Sequence, residues 1–176
     1  PDGRTEQMQA TRVVNAAGLS ADDVAAGMGL DIDALQYRLC YVRGCYFRLG
    51  DRWTGRLRHL VYPVPHAGLS GLGVHVTVDL AGGARLGPDV ELLAEKVQDY
   101  RVAAERAEAF ARAAGTYLPN LRPEDVRPDQ AGIRARRIVP GGGAPDFIIA
   151  EEGAHGLPGW VDLVGIESPG LTCALP

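Results

Sequence analysis

Residues 161–176 read VDLVGIESPGLTCALP, and how this stretch is parsed decides the fold. Val161 to Ile166 form a short apolar run of the kind that makes a buried strand. Glu167-Ser168-Pro169-Gly170 then read as the opening of a helix. Ser168 is placed to cap the free amides, and Pro169 takes the first helical position, where its missing N–H costs nothing. A strand that feeds a helix N-terminus presents unpaired amides and the positive end of a dipole, which is an anion site by construction. The sequence ends before that helix has two turns, so the expectation is a strand-to-helix unit cut short.

Working outward, the other end of the chain has a matching unit. Asp2-Gly3 is a hairpin-turn dipeptide whose preceding strand is missing, so the N-terminus also reads as cut. Thr11 to Val14 read as a short buried strand. NAAGLSADDV (15–24) then reads as a small-residue loop into a helix capped by Ser20, with Asp22 and Asp23 in its first turn. Between these ends the pattern becomes strand-like. Tyr37 to Leu49 is β-like and aromatic, and RHLVYPVP (58–65) reads as a strand that Pro63 and Pro65 push to a sheet edge or strand end. LGVHVTVDLAGGARLGP (72–88) alternates: Val74, Val76, Val78 and Leu80 share one face, His75, Thr77 and Asp79 the other, and Gly82-Gly83 closes a hairpin.

DYRVAAERAEAFARAAGTYLP (99–119) predicts an amphipathic helix with Ala103, Ala107, Phe110 and Ala114 as its stripe. Glu108 stands one turn before Arg112, and Gly115 ends the helix. After the loop NLRPEDVRPDQ, strands are expected at Gly132 to Val139, Asp146 to Ala150 and Trp160 to Ile166. The fold class is therefore mixed α+β and α/β, with a mostly antiparallel sheet inserted into βα units.

Composition narrows the function. The 176 residues are 46% hydrophobic with a net charge of −4, which suits a globular core and argues against nucleic-acid binding, since the positive charge is dispersed. No apolar run reaches the roughly 18 residues of a membrane span. There is no signal-peptide pattern, so a cytoplasmic protein is expected, with peripheral contact at the inner membrane compatible. Cys40, Cys45 and Cys173 form no CxxC pair, and the four histidines show no ligand spacing, so no metal site is expected. His59, His66 and His155 read as surface residues.

Two segments have the physics of a nucleotide or flavin contact. One is the turn Asn15-Ala16-Ala17-Gly18, whose small side chains let backbone approach a ligand. The other is Gly165 with Ser168, Pro169, Gly170, Leu171 and Thr172, whose free amides suit a phosphate or a reduced flavin's charge. The plain alternative for each is a tight βα turn with an ordinary cap. The His75 face either meets water or walls a ligand chamber with His75 as general base. Arg43 and Arg134 are strand arginines that hold either an anionic ligand or a structural partner.

Taken in order, VVNAAGLSADDVA, VRGCYFRL, LVYPVP, GLGVHVTVDLAGGARLGPD, YLPNLRPEDVRPDQAGIRAR, DFII and GIESPGLT resemble the C-terminal half of FAD-dependent oxidoreductases of the D-amino-acid-oxidase type. The similarity is closest to the L-2-hydroxyglutarate oxidase or dehydrogenase branch. The resemblance implies an FAD-binding domain built from residues 1–30 and 131–176, with a substrate domain, 31–130, inserted. The family's GxGxxG portion is absent, so the expected partners are a missing N-terminal FAD-binding half and a small 2-hydroxy acid.

The resemblance implies FAD contacts from Asn15, Ala16, Ala17, Gly18, Gly132, Ile133, Gly165, Ser168, Pro169, Gly170, Leu171 and Thr172. It gives His75 the base role, and Arg43, Tyr46, Tyr62, Thr77 and Arg134 the substrate. Two departures, GIESPGLT itself and Cys45 where an acid is expected, bear on substrate identity. An amine or amino-acid oxidase of the same fold is the alternative, as is an inactive remnant or a binding module.

Overall fold

The computed structural model describes residues 5–64, 72–143 and 145–174. Its elements in chain order are β1 (Val13–Asn15), α1 (Ala21–Gly27), β2 (Leu39–Leu49), β3 (His75–Val78), β4 (Ala84–Gly87), β5 (Glu91–Leu92), α2 (Ala107–Gly115), β6 (Val126–Arg137), β7 (Ile148–Glu151), β8 (Trp160–Val164) and α3 (Gly170–Cys173). Two units result: Pro1–Cys40 with Ala135–Pro176, and Tyr41–Arg134. The first boundary falls at 40 rather than at the expected 30, because the segment from Leu30 through Tyr37 to Leu39 packs on α1 and β8 in the core of the first unit. Gly132, Ile133 and Arg134 belong to the second unit. Asp2-Gly3, Pro65 and His66 lie outside the described residues.

In the first unit, β1 runs parallel to β8, and β7 is antiparallel to β8 on its other side. Ala21, Ala25, Tyr37, Leu39, Ala135 and Val164 form the core. The expected buried strand at Thr11 to Val14 is instead a three-residue edge, Val13–Asn15, with Val13 and Val14 exposed. Among the described residues it pairs with β8 alone, so this apolar run lies at the margin of the described sheet. α1 begins where expected, but the Ser20 hydroxyl makes no cap bond. Buried Asp22 in the first turn accepts the Leu39 N–H at 2.9 Å, which ties α1 to the start of β2.

In the second unit the sheet order is β3-β4-β2-β5, with β6 paired to β2. β2 puts Cys45, Phe47 and Leu49 on the core face, where Val76, Leu86 and the α2 residues Phe110, Ala111 and Ala114 meet them. The α2 stripe therefore covers one face of this sheet, and the Phe47 and Phe110 rings lie 4.5 Å apart. α2 begins at Ala107 after a 3-10 turn at Ala104–Arg106, several residues inside the predicted helix, and Ala103 is exposed. Glu108 and Arg112 pair at 3.0 Å as expected.

Three strand expectations change. RHLVYPVP forms no strand over its described residues; Val61 alone bridges Val76, because prolines remove the donors a ladder needs. β6 begins at Val126, through a segment expected to be loop. Leu80 is fully exposed, because the strand ends at Val78 and Asp79 turns the chain. Among the described residues no helix is long and apolar enough to cross a membrane.

Candidate functional site

In the second unit the sheet face opposite the α2 core carries the candidate chemistry. His75 pairs with Gly87 across β3 and β4, and Thr77 pairs with Arg85. Phe47 pairs with Leu86 and Arg48 with Arg85, so the same register sets Tyr46 opposite Gly87. Laterally paired residues project on the same face. His75 and Tyr46 thus flank a residue with no side chain, and Thr77, Arg85 and Arg48 form the next row. Gly87 is required here: its φ is +136°, and a Cβ would stand 2.7 Å from the Cys45 carbonyl and 2.9 Å from Tyr46 Cδ1.

His75 is only 8% exposed. Tyr62 lies over its ring with centroids 4.5 Å apart and planes 21° apart. The Nδ1 atom sits 3.0 Å from the Gly73 carbonyl oxygen. A carbonyl only accepts, so in the neutral ring Nδ1 carries the proton and Nε2 keeps its lone pair. Next along the chain, the Tyr117 hydroxyl donates to the Val74 carbonyl at 2.7 Å, and burial raises its pKa to about 12. The segment entering β3 is therefore fixed from the end of α2.

The carboxylate-clamp candidates separate. Arg43 is committed to protein partners: it pairs with Glu91 at 3.0 Å and Asp99 at 3.2 Å, and donates to the Asp99 and Arg101 carbonyls. Its side chain is 14% exposed, so it serves as a structural ion pair. Tyr46 is half-buried, and desolvation raises its pKa while the nearby positive charge of Arg134 opposes the rise. Those two share one locale; Tyr62 instead stacks on His75. Thr77 is half-buried, and Asp79, on the same face, shapes the hairpin by accepting the Ala81 and Gly83 amides at 2.9 and 2.8 Å.

In the first unit, the Asn15 side chain is turned inward. It is 4% exposed and donates to the Ala21 carbonyl at 2.8 Å and to Asp162 at 2.6 Å, while its oxygen accepts the Ala17 amide. Asn15 therefore shapes the turn, and the exposed Ala16, Ala17 and Gly18 form its surface. Asp162 and Glu152 are both fully buried. Trp160 Nε1 donates to Asp162, and Tyr37 and His155 hold Glu152, each at 2.7 Å. Burial raises the pKa of Asp162, with the neighbouring Glu152 charge adding to the rise. The one local signal of this cluster was an acid, Asp162, in an otherwise apolar strand; its partners Asn15 and, for Glu152, Tyr37 are distant in sequence.

The last segment differs from its expected form. α3 starts at Gly170, Pro169 occupies the cap position, and no side-chain cap bond is made by Ser168. The Gly170 amide already donates to the Glu167 carbonyl at 2.6 Å and the Thr172 amide to the Pro169 carbonyl at 2.9 Å, so these two amides are engaged within the chain. Gly170 is buried against Ile166, while Ser168, Pro169, Leu171 and Thr172 are exposed around a hollow of about 320 Å³. Gly165 has φ +72° and lies against the Arg137 side chain. Arg136 holds Glu167 at 2.9 Å and fixes the start of this rim. The rim is of mixed character, apolar at Ile166, Pro169 and Leu171 and hydroxylic at Ser168 and Thr172, a lining that suits the ring end of a flavin with its apolar edge and polar carbonyls. The residues for a pyrophosphate cradle are not among these, since no GxGxxG occurs in the 176 residues. Gly132 is exposed on β6 with open space at its Cβ position, and Ile133 beside it is half-buried.

Comparison with known proteins gives this arrangement its relatives. The chain is 43% identical over 172 residues to a mitochondrial L-2-hydroxyglutarate dehydrogenase of Arabidopsis thaliana, covering 93% of this chain and 35% of that protein. It is 26% identical to the L-2-hydroxyglutarate dehydrogenase of Escherichia coli (strain K12), covering 97% of this chain and 46% of that protein. Among solved structures, dithionite-reduced L-alpha-glycerophosphate oxidase from Mycoplasma pneumoniae with FAD bound is similar, with a TM-score of 0.72 and 27% identity over 93% of this chain and 39% of that one. The chain thus spans about a third to a half of the length of these relatives. The family profile described as FAD dependent oxidoreductase (DAO) matches residues 1–176, and the chain belongs to that family.

Proposed function

We propose that this chain forms the substrate-binding and ring-facing part of an FAD-dependent oxidoreductase that oxidises the carbinol of a small 2-hydroxy acid such as L-2-hydroxyglutarate, with His75 as general base. The observation that carries this reading is the buried His75, whose Nδ1 lies 3.0 Å from the Gly73 carbonyl and whose Nε2 is thereby left basic. FAD, when bound, accepts the two electrons that leave the carbinol carbon as hydride. Nε2 of His75 takes the hydroxyl proton, and the resulting imidazolium keeps its Nδ1–H on Gly73. Tyr62 shields one face of the ring from water. Arg134, beside Tyr46, is the candidate for the substrate carboxylate, because a guanidinium fork matches two carboxylate oxygens.

The relatives support alcohol over amine oxidation. L-2-hydroxyglutarate and glycerol phosphate, the compounds in their names, share a secondary carbinol and an anionic group. The test is flavin reduction by stopped flow in the longest reading frame that contains this chain. His75→Gln is expected to slow reduction by 2-hydroxy acids about 10²-fold or more. An unchanged rate removes His75 as base. Reduction by 2-amino acids with none by 2-hydroxy acids moves the reading to amine oxidation.

A further inference from the structure

Resting on that reading, we propose that the row beside His75, Thr77 with Arg85 and Arg48, is an anion subsite that reads the distal carboxylate of a dicarboxylic 2-hydroxy acid. Arg85 stands directly opposite both Thr77 and Arg48 in the ladder. Like charges directly opposite one another weaken a sheet, so this pairing calls for anions. Asp129 supplies one: it is held by Arg85 Nε and lies 3.7 Å from Arg48 Nε. Two guanidiniums on one carboxylate leave one positive charge in excess.

The neighbouring cluster, by contrast, is charge-balanced. Arg43, Arg101 and Arg106 there meet the three carboxylates Asp89, Glu91 and Asp99. Arg48 and Arg85 remain accessible, with side chains 55% and 27% exposed, so a ligand can reach them. Two residues along a strand span about 7 Å. A carbinol placed at His75 therefore sets a second carboxylate at this row when the acid is glutarate-sized. A monocarboxylate leaves the excess charge unmatched.

The experiment uses the longest reading frame containing this chain, loaded with FAD. Glutarate binding is read by calorimetry, and the kcat/KM ratio of L-2-hydroxyglutarate to L-2-hydroxybutyrate by flavin reduction. Arg48→Met is expected to weaken glutarate binding and lower the ratio by about 10- to 100-fold, the range of a charge-assisted hydrogen bond. Arg48→Lys should recover part of the loss. Arg112→Met, which removes an exposed helix pair, should leave both readings at the wild-type value. Unchanged glutarate affinity in Arg48→Met overturns the subsite, whatever turnover does. If glutarate binds through Arg48 but neither acid is oxidised, the subsite stands and the proposed reaction is what fails.

Discussion

Gly87 shows how much one absent side chain carries. It holds φ +136°, a region strained for any other residue, and its missing Cβ lets β4 pass within contact of the Cys45 carbonyl and the Tyr46 ring. Gly87→Ala adds backbone strain and a clash with a carbonyl that cannot swing away, so a loss of about 2–3 kcal/mol is expected. Urea unfolding followed by Trp fluorescence checks it, and a midpoint within error of wild type would mean the strand shifts to accommodate the methyl. The glycine was visible in the sequence, inside LGP, but its requirement was not. That came only when the register placed Tyr46 opposite it. Arg43 makes the same point. Its partners lie 48 and 56 residues away, a distance over which no local pattern speaks.

Elements were legible where period and turn chemistry agreed. The β3–β4 hairpin follows from strict alternation closed by Gly82-Gly83, and Asp79 completes it by accepting two amides of the turn. Asp79→Ala should therefore cost about 1–2 kcal/mol, since both amides then depend on water or turn flexing. Faster hydrogen exchange at Gly83 and at β4 amides, with β8 unaffected, is the signature to look for; uniform loss across the chain would contradict it. Helix starts were read less well. Ser20 and Ser168 stood at cap positions, yet neither hydroxyl caps: Asp22 makes the tertiary bond at α1, and Pro169 takes the cap site at α3. Sequence rules rank residues that are able to cap; tertiary partners decide which one does.

At the scale of the whole molecule, the two units respond to pH with opposite sign. Asp162, fully buried in the first unit, has its pKa raised by burial. A raised folded pKa contributes stability that is full below the unfolded value near 4 and is lost as pH climbs through the folded one. In the second unit the Arg52 bond lowers Asp125 to about 2, and Arg101 holds Asp99 lower still. Those groups contribute stability that is full above about pH 4 and is lost as pH falls through the depressed values. Asp33 and Glu151 in the first unit are also lowered, but they are exposed and water screens them. Hydrogen exchange corrected for intrinsic rates should therefore show the order of protection shifting. Between pH 7 and pH 3, β2 and β4 around Phe47 and Leu86 lose protection relative to β8 around Val164. Asp162→Asn removes the titrating carboxyl: its single amide oxygen keeps the bond from Asn15 or the one from Trp160, and the other is lost at every pH alike. That variant should flatten the pH slope of the first unit and leave the second unchanged. If both units shift together, or if Asp162→Asn leaves the slope of β8 as it was, the buried Asp162 carboxyl does not set the pH response of its unit.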